Sequence, residues 1–159
     1  MKRNVLLVAP TPRLAATLIS WLAEKDFSPT LVTSFNAAKD RLEDRPSLLI
    51  SEIRLGEYNG LHLAVHALAL GIPTIVIGDM DPVLKREAEQ LAAVYMTYDL
   101  DRAELFGVLS KLPPMDPDAR PHASSPLANL AFFSGNPFSN STRRGAEWLH
   151  VSLKTPVGA

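Results

Sequence analysis

Short apolar runs alternate with longer amphipathic stretches through the first two thirds of the chain. The first run, residues 4–9, is polar only at Asn4, as is typical of a strand that helices cover on both faces. The stretch that follows places apolar side chains at helical spacing, namely Leu14, Leu18, Trp21 and Leu22. Strict alternation of such strands and helices predicts an α/β domain built on a parallel sheet.

The pattern over residues 1–112 predicts five strands and five helices. Strands are expected at residues 4–9, 30–33, 48–53, 73–77 and 94–97. Helices are expected at residues 13–25, after an N-cap at Ser34, at residues 61–70, and after N-caps at Asp81 and Asp101. Because crossovers between parallel strands are right-handed, few topologies remain, and the flavodoxin-like order 2-1-3-4-5 is the leading expectation.

The composition of the chain changes at Pro113. Seven of the 13 prolines fall after residue 112, mixed with serine, asparagine and glycine. We therefore expect residues 1–112 to form one domain and residues 113–159 to be a linker or a largely disordered tail. The apolar clusters at residues 127–133 and 147–151 are either recognition segments or chance groupings in that tail.

The totals of the sequence exclude several classes of function. A formal net charge of −1 offers no general attraction to nucleic acid or to an anionic membrane surface. The chain has no cysteine, which excludes disulfides and thiolate chemistry. No apolar stretch reaches the roughly 18 residues that a membrane span requires, and Pro10 and Pro12 interrupt the first apolar run too early for a signal peptide. We expect a cytoplasmic protein with no nucleic-acid or membrane partner.

Three segments resemble the receiver domain of bacterial two-component response regulators. Residues 46–55, followed by Asn59 and Gly60, are similar to the third strand of that family and the loop after it. Residues 72–77 and 93–97 are similar to its fourth and fifth strands. The resemblance implies a flavodoxin-like (βα)5 receiver fold and a role in phosphorelay signal transduction.

The resemblance also implies a phosphorylation site, and this chain departs from it at each matching position. Ala9 and Pro10 stand where the family holds magnesium with two acidic residues, and neither can bind a hard cation. Glu52 stands at the phosphoacceptor aspartate, Gly78 at a hydroxyl residue and Tyr98 at the lysine. Phosphoryl transfer depends on cations that neutralise the phosphoryl charge. The expectation is a degenerate pseudo-receiver with no catalytic residue, no metal ion and no cofactor.

Glu52 and Tyr95 each allow two interpretations. Glu52 either imitates the phosphorylated state or is a partly solvated carboxylate paired with Arg13 or Arg54. Tyr95 matches the aromatic residue that turns inward and outward in receivers. Because Gly78 supplies no hydroxyl to couple to it, we expect a fixed orientation at the sheet edge, where an exposed ring could still anchor an interface.

His62 and His66 are four residues apart on the predicted third helix. That spacing can chelate a metal ion, but no HExxH arrangement accompanies it. We expect histidines at the solvent edge of the helix rather than a metal site.

Three functions compete. The first is a binding module that docks a histidine kinase, another regulator or a second copy through its fourth helix, fifth strand and fifth helix. The second is a conventional phosphorylatable single-domain response regulator. The third is a small α/β enzyme or nucleotide binder, which the glycine-free loop of residues 10–13 opposes, because a phosphate-cradling loop needs close backbone approach. Phosphorylation by a small-molecule donor separates the first two.

Overall fold

A computed structural model of the chain describes residues 2–112. The predicted tail, residues 113–159, lies outside the described residues, together with its two apolar clusters. The strands are β1 (Arg3–Val8), β2 (Phe27–Val32), β3 (Leu48–Glu52), β4 (Arg54–Leu55), β5 (Tyr58–Asn59), β6 (Thr74–Gly78) and β7 (Val94–Thr97). The helices are α1 (Pro12–Glu24), α2 (Phe35–Leu42), α3 (Gly60–Ala69), α4 (Pro82–Gln90) and α5 (Arg102–Lys111).

Five strands form one parallel sheet in the order β2-β1-β3-β6-β7. The predicted fourth and fifth strands are β6 and β7, so the predicted flavodoxin-like order is confirmed. Registers such as Leu7 opposite Ile50, and Ile50 opposite Ile75, align the carboxyl ends of the central strands along one edge. Side chains that follow those ends therefore lie close together.

The core occupies both faces of the sheet. On one face, α1 and α5 pack Leu18 and Leu105 against β-strand residues such as Leu7 and Ile50. On the other face, α2, α3 and α4 cover the sheet, and the side chains packed there include Leu6, Leu49, Leu63, Val76 and Ala88. Coverage on both faces explains why the central strands are apolar at almost every position.

Side chains cap the amino-terminal ends of three predicted helices by accepting hydrogen bonds from backbone amides. Ser34 accepts a hydrogen bond from the amide of Ala37, as expected for an N-cap. Asp81 accepts from the amides of residues 83 and 84, and Asp101 accepts from the amide of residue 103. These three predicted N-caps are confirmed. Within residues 2–112, no helix has the length and apolar character that a bilayer crossing requires.

One local prediction was wrong, and one local element was not predicted. The second strand begins at Phe27, three residues before the predicted start, and runs through Pro29. Proline is tolerated there because β2 is an edge strand, where a missing amide donor leaves no ladder bond unmade. The sequence also gave no indication of the two-stranded hairpin of β4 and β5, which turns at Gly56 with a φ of +73°.

Candidate functional site

The predicted site lies at the carboxyl edge of the parallel sheet. Ala9 and Pro10 follow β1, Glu52 ends β3, and Gly78 ends β6. Tyr98 follows β7 and donates its backbone amide to the carbonyl of residue 78 at 2.9 Å. The fold therefore brings the matching positions to one edge, as the resemblance implies.

The Glu52 side chain is held by neutral hydrogen-bond donors. Its side chain turns toward the loop between β1 and α1, where Thr11 donates its backbone amide to Oε1 and its hydroxyl to Oε2, both at 2.9 Å. The phenol of Tyr98 lies 3.4 Å from Oε2, which is long for a hydrogen bond. Both carboxylate oxygens are thus engaged, and Glu52 is only 3% exposed.

Of the two interpretations of Glu52, the partly solvated carboxylate paired with Arg13 or Arg54 was wrong. The carboxylate is buried, and Arg54 instead forms an exposed ion pair with Asp79, at 2.5 Å between Nη2 and Oδ2. Among residues 2–112, no ion pair involves Glu52 or Arg13. In the part of the chain that the structure describes, the site therefore contains a buried carboxylate group without a cationic partner.

Gly60 fixes the backbone beside this carboxylate. A Cβ atom at position 60 would lie 2.2 Å from the carbonyl oxygen of Glu52 and 3.0 Å from Oγ of Ser51. Only glycine fits so close an approach of two backbones. The amide of Gly60 donates to the carbonyl of Ile53 at 2.8 Å, and Asn59 caps α3 by accepting from the amide of residue 61. The Asn-Gly pair thus holds the β4–β5 hairpin against the end of β3.

Gly78 and Tyr95 fit each other sterically. A Cβ atom at position 78 would lie 2.2 Å from the Tyr95 hydroxyl, so the phenol occupies the space that any larger side chain at 78 would need. The Tyr95 hydroxyl donates to the carbonyl of Asp79 at 2.7 Å, and the ring is half-buried against the cluster that contains Ile53. The ring is turned toward the site, where its hydroxyl has a backbone partner.

Both tyrosines at this edge are held in the protonated form. Burial first, and the nearby Glu52 carboxylate second, raise the pKa of Tyr98 from 10.0 to about 12. Burial, followed by the charges of Asp81 and Asp79, also raises the pKa of Tyr95. At neutral pH both phenols are therefore donors, and Tyr98 supplies none of the positive charge that a lysine would bring.

Metal-ligand clusters are absent from the part of the chain that the structure describes. At the family's magnesium position, Ala9 is buried and offers no side-chain ligand, and Pro10 is half-buried. His62 and His66 are exposed on α3 and flank the ring of Phe35, with centroid distances of 6.5 and 6.4 Å. Burial, Lys39 and His62 lower the pKa of His66, in that order, which favours its neutral form.

Sequence reasoning missed Thr11. It is the principal partner of Glu52, but 41 positions separate the two residues. The available signal was a hydroxyl residue in the loop after the first strand, at the sheet edge where the site was expected. That signal was weak because serine and threonine are common in such loops for purely local reasons.

The described domain is similar in fold to solved receiver domains. A two-component response regulator from Clostridium difficile matches with a TM-score of 0.63 and 17% sequence identity, over 69% of this chain and 93% of that one. The CheY-like receiver domain from Methylobacillus flagellatus matches with a TM-score of 0.62 and 22% identity, over 69% and 98%. Chemotaxis protein CheY4 from Vibrio cholerae matches with 0.63 and 13% identity, over 71% and 100%.

No protein-family model matches the sequence, and no curated protein matches it. The chain has the receiver fold that its sequence predicted. At these identities the similarity establishes the fold, so the chemistry of the site depends on its own residues.

Proposed function

We infer that this chain is a non-catalytic receiver-fold module that acts by binding a protein in two-component signalling. The inference rests on the hydrogen bonds and the burial of the Glu52 side chain. Its two carboxylate oxygens accept hydrogen bonds from Thr11, and the side chain is buried. An acceptor carboxylate must instead present a free oxygen to the incoming phosphoryl group, beside cations that stabilise the transferred charge.

The surroundings of Glu52 favour the same conclusion. Tyr98 replaces a cation with a protonated phenol, and Ala9 and Pro10 offer no oxygen ligand for magnesium. The nearby Arg54 is paired with Asp79. A carboxylate held permanently at this edge also supports the interpretation in which Glu52 imitates the phosphorylated state, with Tyr95 held inward over Gly78.

Incubation with acetyl phosphate and magnesium tests the absence of phosphotransfer. Intact-mass spectrometry at neutral pH, with a conventional receiver domain as the positive control, should find the wild-type mass unchanged. The matched variant is Glu52→Gln, which has nearly the same size and cannot form an acyl phosphate. A phosphoryl adduct that appears on the wild type and disappears in Glu52→Gln would establish a phosphorylatable regulator and overturn the proposal.

The proposed binding surface is the face formed by α4, β7 and α5. Two exposed large apolar side chains lie at its start, Met80 at 84% in the loop before α4 and Val83 at 63% on α4. Met80 lines a groove of about 430 Å³ together with residues that include Pro82, Tyr95 and Met96. Exposed apolar side chains beside an aromatic residue are typical of interface anchors. Histidine kinases, other regulators and a second copy of the chain are the partners proposed for this face.

Sedimentation velocity over a range of protein concentrations first tests whether this face binds a second copy of the chain. If the face forms a homodimer, Met80→Glu should abolish the dimer, whereas Val65→Glu should leave it intact, because Val65 is an exposed apolar residue on α3. If the wild type is monomeric, the same two variants test the binding of a purified histidine kinase. Equal effects of the two substitutions on every partner would reject this face.

A further inference from the structure

A cavity of about 310 Å³ opens at the edge of the sheet opposite to Glu52. It lies between the amino-terminal ends of β1 and β2, the end of α1 and the last turns of α5. The rings of Phe27 and Phe106 supply apolar lining, and Ser110 lies at the α5 side. A cavity of this size can hold several side chains or a small ligand.

Positive side chains surround the two rings. The guanidinium carbon of Arg3 lies 5.9 Å from the ring centroid of Phe27, and Nζ of Lys25 lies 4.7 Å from that of Phe106. Among the described residues, neither cation belongs to an ion pair, and Asp26 is the one carboxylate of the lining. The cavity therefore presents apolar surface rimmed by more positive than negative charge, which favours an occupant with both apolar and acidic groups.

The sequence that follows α5 contains both apolar and acidic side chains. Helix α5 ends at Lys111, next to the cavity residue Ser110, and residues 113–118 are Pro-Pro-Met-Asp-Pro-Asp. Met115 is an unbranched apolar residue whose thioether packs well against aromatic rings. Asp116 and Asp118 carry the opposite charge to the rim. At about 3.1 Å per residue for a proline-rich segment, the reach from residue 112 to residue 116 is roughly 12 Å.

We propose that residues 115–118 dock in this cavity, with Met115 against Phe27 and Phe106 and the two aspartates beside Lys25 and Arg3. The occupant is the chain's own segment because it begins next to the cavity and complements its charge. Docking there anchors the C-terminal segment at the edge of the sheet that lies away from Glu52. This inference does not depend on the proposed function.

Hydrogen exchange of the full-length chain, measured by NMR at the amides of Met115, Asp116 and Asp118, tests the proposal. The variants Lys25→Glu and Asp116→Lys should each accelerate exchange by about two- to fivefold, the range that one exposed ion pair supplies. The double variant, which restores opposite charges in reversed positions, should return exchange toward the wild-type rate. Lys85→Glu is the matched control because Lys85 is exposed on α4, outside the cavity.

Three results would overturn the proposal. Unprotected amides at residues 115–118 in the wild type would mean that the segment does not dock. Protection that is unchanged by Lys25→Glu, or lost equally in Lys85→Glu, would place the segment elsewhere. Protection that disappears on dilution would assign the cavity to a second copy of the chain instead of to its own segment.

Discussion

The interior of the sheet and its carboxyl edge differ in what they retain of the receiver pattern. The interior has the alternation of buried strands and covering helices that receivers share, and β3 and β6 are buried at every position. At the edge, neutral donors hold the carboxylate of Glu52, and the side chains of Ala9, Pro10 and Gly78 offer no polar group. The packing that forms this fold therefore does not require phosphoryl chemistry, although Ala9 belongs to the core and Tyr95 and Tyr98 pack against it.

The largest effect should come from the interior. Leu7 lies in the central part of β1 and is fully buried, so Leu7→Ala should lower the free energy of unfolding by about 2–5 kcal/mol through lost burial and a cavity. Urea denaturation measures the change. Val65→Ala, at an exposed site on α3, is the control and should stay within about 0.5 kcal/mol of the wild type. A substitution at the carboxyl edge that lowers the free energy of unfolding by more than Leu7→Ala does would contradict this difference between the two regions.

The next effect concerns the fit between Gly78 and Tyr95. Gly78→Ala places a Cβ atom where the phenol lies, so we expect a loss of about 1–3 kcal/mol in the free energy of unfolding from overpacking. The substitution should be milder in a Tyr95→Ala background, where the space is empty. Urea denaturation of the four members of this double-mutant cycle gives the coupling. Additive effects would show that the two residues do not share that space.

A smaller effect should follow removal of the donor to Glu52. Thr11→Val keeps the shape of the side chain but deletes the hydroxyl bond to Oε2, at a cost of about 1 kcal/mol in the free energy of unfolding. Thr17→Val is the matched control, since Thr17 donates its hydroxyl only to the exposed helix carbonyl of Arg13. Equal costs in urea denaturation would mean that the bond to Glu52 contributes nothing beyond a surface contact.

The last effect is absent at neutral pH and is confined to alkaline pH. The pKa of Tyr98 is about 12 in the folded chain and near 10.0 when unfolded, so the unfolded state releases this proton first. Stability is therefore lost as pH rises from about 10 toward 12, and the group has no such effect below about 10. Tyr98→Phe should lose less stability than the wild type in that window, as measured by urea denaturation. Identical pH dependence would refute the burial of this phenol.

The difference between the interior of the sheet and its carboxyl edge also explains which features could be predicted from the sequence. Strands such as β7 were predicted with their bounds because local periodicity and caps determine them. The start of β2 was missed because Pro29 suggests a break, and only the position of the strand at the sheet edge permits it. The burial of Glu52 was missed because its donor, Thr11, is distant in the chain. Local patterns specify elements, whereas the site depends on contacts that exist only after folding.

The close fit of Gly78 and Tyr95 has a consequence for any attempt to place a hydroxyl side chain at position 78. A serine or threonine introduced at position 78 would bring its Cβ atom against the phenol hydroxyl, so the ring would have to shift to admit it. Replacing Tyr95 by a smaller residue beforehand would leave that space free for the new side chain. Tyr95 therefore limits which side chains position 78 can accept.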